Sequence, residues 1–98
     1  MAHFVFIATY IMANQKNGAI YTGHTSNLPA RVGRHKRGAG AVFTARNKCF
    51  RLVWYEQFDD IPIARKREKQ IKRWPRRWKI KLIEKRNPAW LDLSCDLV

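Results

Sequence analysis

Phe4 to His24 reads FVFIATYIMANQKNGAIYTGH, and the way this stretch folds decides the rest of the chain. Phe4–Met12 is built from β-branched, aromatic and small residues without a charge, the composition of a strand covered on both faces. It is too short to span a bilayer and lacks the basic leader of a signal peptide. Ala13–Gly18 turns polar and ends in Asn17-Gly18, residue types that accept the left-handed backbone of a tight turn. Ala19–His24 then reads as a returning strand. The chain therefore opens with a hairpin.

Further along, Thr25-Ser26-Asn27 supplies helix caps, and Pro29 suits the first turn of a helix over Leu28–Lys36 that Gly38 stops. Gly38–Ala45 is small-residue sequence and reads as a loop. Phe50–Phe58 reads as a third strand. Asp59 or Asp60 caps a helix over Ile61–Arg73, with Pro62 near its start. Trp74-Pro75 interrupts, and a last helix runs over Arg76–Arg86 to Asn87-Pro88. The order β-β-α-β-α-α predicts an α+β fold, a three-stranded antiparallel sheet flanked by helices. No repeat, low-complexity tract or linker divides the chain, so residues 1–98 are expected to form a single domain.

Charge narrows the partner. Twenty Lys and Arg stand against seven Asp and Glu, a formal net charge of +13. Residues 1–50 hold no acid at all; every one lies between Glu56 and Asp96. Such an excess repels itself in a folded domain, and a polyanion relieves it. Cys49 and Cys95 are isolated thiols, without zinc spacing or a disulfide framework, which suits a reducing, cytoplasmic compartment. The expected partner is nucleic acid, DNA first, with no membrane and no protein partner indicated.

Three sets of polar residues fall where apolar ones belong. In the helix after Asp60, Ile61, Ala64 and Ile71 form one stripe, and Glu68 lies inside it. An inward carboxylate needs a partner, which could be a divalent cation or a salt bridge to a local Lys or Arg. In the earlier helix Leu28 and Val32 mark the inner face, and Arg31 and His35, four apart, share that sector. The pair suits a phosphate clamp with a proton-transfer group, or simply a solvated basic helix. Tyr10 and Tyr21 sit on the two hairpin strands, able to reach one site or merely to pack; with Arg31, His35 and Glu68 they are expected where one sheet face meets two helices. Trp74, Trp78 and Trp90 suit core packing better than base stacking.

These residues, taken in order, resemble the GIY-YIG nuclease superfamily, and in particular its small stand-alone bacterial members. The first signature triplet falls on Ala8-Thr9-Tyr10 and the second on Tyr21-Thr22-Gly23. Arg31 and His35 keep the family's Arg-x-x-x-His spacing, and Ala64–Lys72 looks like its acidic helix. Leu82-Ile83-Glu84 and Asn87-Pro88-x-Trp90-x-Asp92-Leu93 are similar to the tail of the subgroup. Ala8 stands in place of the family glycine, and Thr9 and Thr22 in place of isoleucines. The resemblance implies metal-dependent phosphodiester hydrolysis. Glu68 would hold one Mg²⁺ or Mn²⁺, Arg31 would stabilise the scissile phosphate and Tyr10 would be the general base. Tyr21 and His35 would orient water or phosphate. Thr25, Lys69, Lys72, Arg73 and Asn87 are the expected substrate contacts.

A structure-selective or weakly specific DNA endonuclease is the preferred reading. A non-catalytic nucleic-acid-binding protein with the same fold, and a module docking on a larger assembly, are the alternatives.

Overall fold

The computed structural model describes residues 5–38 and 42–97. Phe4, where the first strand was expected to begin, lies outside them. Strand β1 (Ala8–Ala13) is fully buried, as its uncharged, mostly apolar composition predicts. It is the central strand of a three-stranded sheet of order β2-β1-β3, antiparallel to β2 (Ile20–Thr25) and to β3 (Arg51–Gln57). The connection between β1 and β2 turns through Asn17 at φ 60. Gly18 is needed beside it, because a Cβ there would lie 1.9 Å from Asn14 Oδ1, the atom that accepts the Ala19 amide.

Helix α1 (Leu28–Lys36) has the predicted bounds and is capped by Asn27, whose side chain accepts from the Ala30 amide. Gly38, at φ 75, ends its run. The loop expected over Gly38–Ala45 needs correction: a short helix, α2 (Val42–Asn47), occupies its second half, and residues 39–41 lie outside the described set. Asp60 caps α3 (Ile61–Lys72), and α4 (Arg76–Arg86) follows the break at Trp74-Pro75. A 3-10 turn at Leu93–Leu97 adds a last element that the β-β-α-β-α-α order omitted.

The helices divide between the two faces of the sheet. Ala8, Tyr10 and Met12 of β1 pack with Leu28 and Val32 of α1, while Ile11 and Ala13 pack with Ile71 of α3 and Ile83 of α4. Strand alternation alone produces this sorting. The pairing of β1 with β3 shifts between Ile11 and Met12, and this irregularity lets the adjacent Val53 and Trp54 both join the α3–α4 side. Thr9 explains one departure from the signature triplet. Its buried hydroxyl donates to the Ala64 carbonyl at 2.7 Å and ties β1 to α3, which an isoleucine could not do.

The tail closes the fold. Asn87 is buried; its amide donates to the Val53 and Leu91 carbonyls and its oxygen accepts from the Leu91 amide. Asp92 accepts from the Leu52 amide and pairs with Lys36, fastening the chain end across β3 and α1.

Candidate active site

Tyr10 points from the middle of β1 toward α1 and is completely buried. Its cross-strand partner is Gly23, and that glycine makes room for it. A Cβ at position 23 would lie 2.7 Å from the Tyr10 hydroxyl and 3.0 Å from the Tyr21 ring. The phenol therefore lies against β2 at the one position without a side chain. Tyr21, two residues earlier on the same face, has its ring centroid 6.3 Å from that of Tyr10 and 5.6 Å from that of His35.

His35 enters from the inner side of α1, also buried. Its Nε2 is 2.9 Å from the Tyr10 hydroxyl and its Nδ1 is 3.0 Å from the Thr44 hydroxyl of α2. Burial, with Arg31 and Arg34 nearby, pushes His35 below its ordinary pKa, so the ring is neutral at neutral pH. Burial pushes the Tyr10 hydroxyl well above its ordinary value; Tyr21 and Glu68 add to the rise, and the nearby Arg31 guanidinium opposes it. Tyr10 is thus a protonated phenol in the free protein, not a standing tyrosinate.

Glu68 arrives from the other side of the sheet. His24 lies opposite Thr9 in the register, so it faces α3, and its Nδ1 is 2.5 Å from one Glu68 oxygen. Lys72 donates to the other oxygen at 2.6 Å. The Glu68 side chain is only 14 % exposed. Burial would raise its pKa, but the hydrogen bonds from Lys72 and His24 outweigh burial and hold it below the usual carboxylate value. The inward acid of the sequence reading is therefore present, together with the local lysine bridge that was its alternative explanation.

The expectation that all five residues share one sheet face is corrected. Tyr10, Tyr21, Arg31 and His35 belong to the α1 face, and Glu68 belongs to the α3 face. The two groups approach each other around β2, which is an edge strand. Lys72 makes the crossing, with its Nζ 5.8 Å from the centre of the Tyr21 ring. Glu68 is close enough for its charge to act on Tyr10.

The expected substrate contacts are scattered. Lys72 is in the site. Lys69 and Arg73 lie on the outer side of α3, lining a cavity of about 570 Å³ with Arg67 and Trp74. Thr25 is buried and its hydroxyl accepts from the Asn27 amide, so it shapes the turn into α1. Asn87 needs a correction: both donors and its oxygen are committed to backbone, which leaves no capacity for a phosphate. Two participants went unassigned in the sequence. His24 could have been found from its parity with Thr22, opposite to that of Tyr21. Thr44 was hidden in a stretch read as loop.

A single carboxylate limits what the site can hold. Among the described residues no three His, Cys, Asp or Glu side chains cluster as a metal cage. The donors suit an ion that keeps most of its waters and takes one protein carboxylate, as Mg²⁺ does. Among the described residues no helix is long and apolar enough to cross a membrane.

Residues 6–81 match the model of the GIY-YIG catalytic domain. A UPF0213 protein of Staphylococcus haemolyticus is 37% identical over 84 residues, covering 86% of this chain and 96% of the relative. A UPF0213 protein of Staphylococcus aureus is 36% identical over 85 residues, covering 87% and 98% respectively. No solved structure matches the chain.

Proposed function

The chain belongs to the GIY-YIG family of nuclease domains, and from that premise we propose that it is a divalent-metal-dependent endonuclease that hydrolyses phosphodiester bonds in DNA. The observation that carries this reading is the meeting, around the edge of β2, of a neutral Tyr10–His35 pair with the ionised Glu68 carboxylate.

The phenol of Tyr10 need not ionise in order to act. With the Nδ1 proton of His35 donated to Thr44, the Nε2 lone pair accepts the Tyr10 hydroxyl proton. Arg31 donates to one lone pair of the phenol oxygen, which leaves the other for a water. As that water attacks phosphorus, its proton passes to Tyr10 while the phenol proton moves to His35, so no isolated tyrosinate forms. The P–O bond opposite the attack breaks, and the departing oxygen takes a proton from solvent. Arg31, beside Tyr10, offsets charge gathering on the phosphate. Tyr21, packed against both His35 and Tyr10, fixes their rings.

Glu68 is the residue that would hold Mg²⁺ or Mn²⁺, with His24 or Lys72 giving up one of its oxygens. When bound, the ion polarises the phosphoryl group and stabilises the leaving oxygen. Lys72, with Lys69 and Arg73 beyond it, contacts the backbone of the substrate without reading sequence, which supports structure-selective or weakly specific cutting. A second reading, a nucleic-acid-binding protein that does not cut, is favoured by one observation. Both oxygens of Glu68 are already taken, one by His24 and the other by Lys72.

The test is a nicking assay on branched, single-stranded and duplex DNA with Mg²⁺ or Mn²⁺, comparing the wild type with Glu68→Gln. The expected result is metal-dependent cleavage that this variant loses while still binding DNA. Binding without cleavage across the whole panel would favour the second reading.

A further inference from the structure

The chain has four tryptophans, and one of them is about half exposed. Trp90 is 0% and Trp54 4% exposed, Trp74 is half-buried, and Trp78 is 49% exposed. Trp78 lies on α4, where Lys81, Leu82 and Lys85 follow at the three-, four- and seven-residue spacings of one helix face. The Trp74 ring stands edge-on to it, with centroids 6.0 Å apart. Together Trp74, Trp78, Lys81, Leu82 and Lys85 line a cavity of about 340 Å³, and an adjoining one of about 310 Å³ shares Trp78 and Lys81 and adds Arg77.

The acids near this face are turned to other tasks. Glu84, the one acid of α4, accepts the Trp90 indole N–H at 2.7 Å. Glu56 pairs with Arg67 at 2.9 Å. Among the described residues Arg77, Lys81 and Lys85 are in no ion pair. A half-exposed aromatic ring therefore stands among three cations that are in no ion pair, and Glu84, held by the Trp90 indole, is the one acid lining the adjoining cavity. Exposing a tryptophan forfeits burial of a large apolar area, and a lysine stem would have served solubility better.

We propose that this face of α4 is a stacking site for an unpaired base, with Arg77, Lys81 and Lys85 holding the phosphates on either side of it. An unpaired base offers a free π-face and carries flanking phosphates, so it matches both the ring and the charges. A duplex offers the charges alone, because its bases are stacked on one another. The site thus selects nucleic acid with single-stranded character. This deepens the endonuclease reading by naming its substrate class, and rests on it for the link to cleavage.

The experiment measures binding of the full chain to labelled oligodeoxythymidylate and to a blunt duplex of equal length, for the wild type, Trp78→Ala and Trp78→Phe. Trp78→Ala should weaken oligothymidylate binding about tenfold, since one base–aromatic stack is worth about 1–3 kcal/mol. Duplex binding should change less than about twofold, since the phosphate contacts remain. Trp78→Phe should keep most of the affinity, and should lose the part of the tryptophan quenching that oligothymidylate produces in the wild type. Equal weakening on both nucleic acids, or none on either, overturns the proposal. Cleavage assayed in parallel separates the two claims. A selective binding loss in a chain that never cuts leaves the stacking site standing and the hydrolase reading fallen; cleavage without that selectivity does the reverse.

Discussion

The two sides of β2 are made of different material. On the α1 side, Tyr10, His35 and Thr44 form a buried row of uncharged groups joined by hydrogen bonds. On the α3 side, Glu68 is ion-paired with Lys72 and hydrogen-bonded to His24 in a cluster that water reaches in part, with Lys72 about half exposed. The difference shows why one strand stands between them. A carboxylate placed on the dry side would need its own partner, and its charge would drive the phenol still further from giving up a proton. A phenol–imidazole relay placed on the wet side would exchange with solvent and lose its direction. Separation by an edge strand lets each group keep its protonation state, and Gly23 leaves room on that strand for the buried phenol.

The largest effect should come from removing the hydroxyl on the dry side. Tyr10→Phe keeps the ring and its packing but breaks the relay, so cleavage should fall by about 10²–10⁴-fold, the usual range for a lost acid–base group. DNA affinity, set by the cations, should stay within about twofold. A Tyr10→Phe enzyme that cut at the wild-type rate would assign proton transfer to another group and leave the α1 side a purely structural core.

Next in size is the strand between them. In Gly23→Ala the new methyl would lie 2.7 Å from the Tyr10 hydroxyl and 2.9 Å from the carbon bearing it, both parts of a buried ring that cannot swing away. Overpacking of this kind costs about 1–3 kcal/mol. The melting temperature should fall by about 4–8 °C per kcal/mol for a chain of this size. Cleavage should fall with it, because Tyr10 is displaced from His35. Unchanged melting together with unchanged cleavage would show that the phenol does not need the gap at position 23.

Much of this comparison could be read from the residues. The hairpin followed from an apolar run, a turn dipeptide and a second run, and α1 and α4 keep their predicted bounds. The inward direction of Glu68 followed from helical spacing with Ala64 and Ile71, which are both buried. Helical spacing tells which side of a helix is covered, but not by which face of the sheet, and so α1 and α3 were placed on one face. Alternation along β1 holds the missing information: Thr9 and Tyr10 are neighbours, so helices bonded to each must lie on opposite sides. Thr44 and α2 were lost for a different reason. Gly and Ala before them suggested backbone freedom, and the buried His35 that Thr44 serves is distant in sequence. The Asn87 assignment failed because a motif residue with saturated hydrogen bonds looks the same in sequence as one with bonds to offer.

A smaller effect separates the two sides by their response to metal. Lys72 competes with any cation for Glu68, but it is half exposed, and such pairs are worth about 0.2–1 kcal/mol. Lys72→Met should therefore lower the half-saturating Mg²⁺ concentration by less than about fivefold, while Thr44→Val, on the dry side, should leave it unchanged. A rise in the Lys72 variant would mean that the lysine assists metal binding, in conflict with its place on a Glu68 oxygen.

The smallest effect expected is a loss of thermal stability on acidification that comes in two stages, one for each side of β2. His35 has a folded pKa below its ordinary 6.5, so below that pH the unfolded chain takes up a proton that the folded chain resists. More protons bound in the unfolded state mean stability that falls as pH falls, starting near 6.5 and ending at the lowered folded value. Glu68 is also lowered, from an ordinary 4.5, because its partners favour the carboxylate. Its contribution is intact above 4.5 and is lost as pH falls from there through the folded value. The dry side should therefore weaken first and the wet side later. Melting curves across this range should lose the upper stage in His35→Asn, while Glu68→Gln should shrink the lower stage, to which the lowered Asp92 also contributes. If His35→Asn kept the upper stage, that proton would belong to a group other than the imidazole on the dry side.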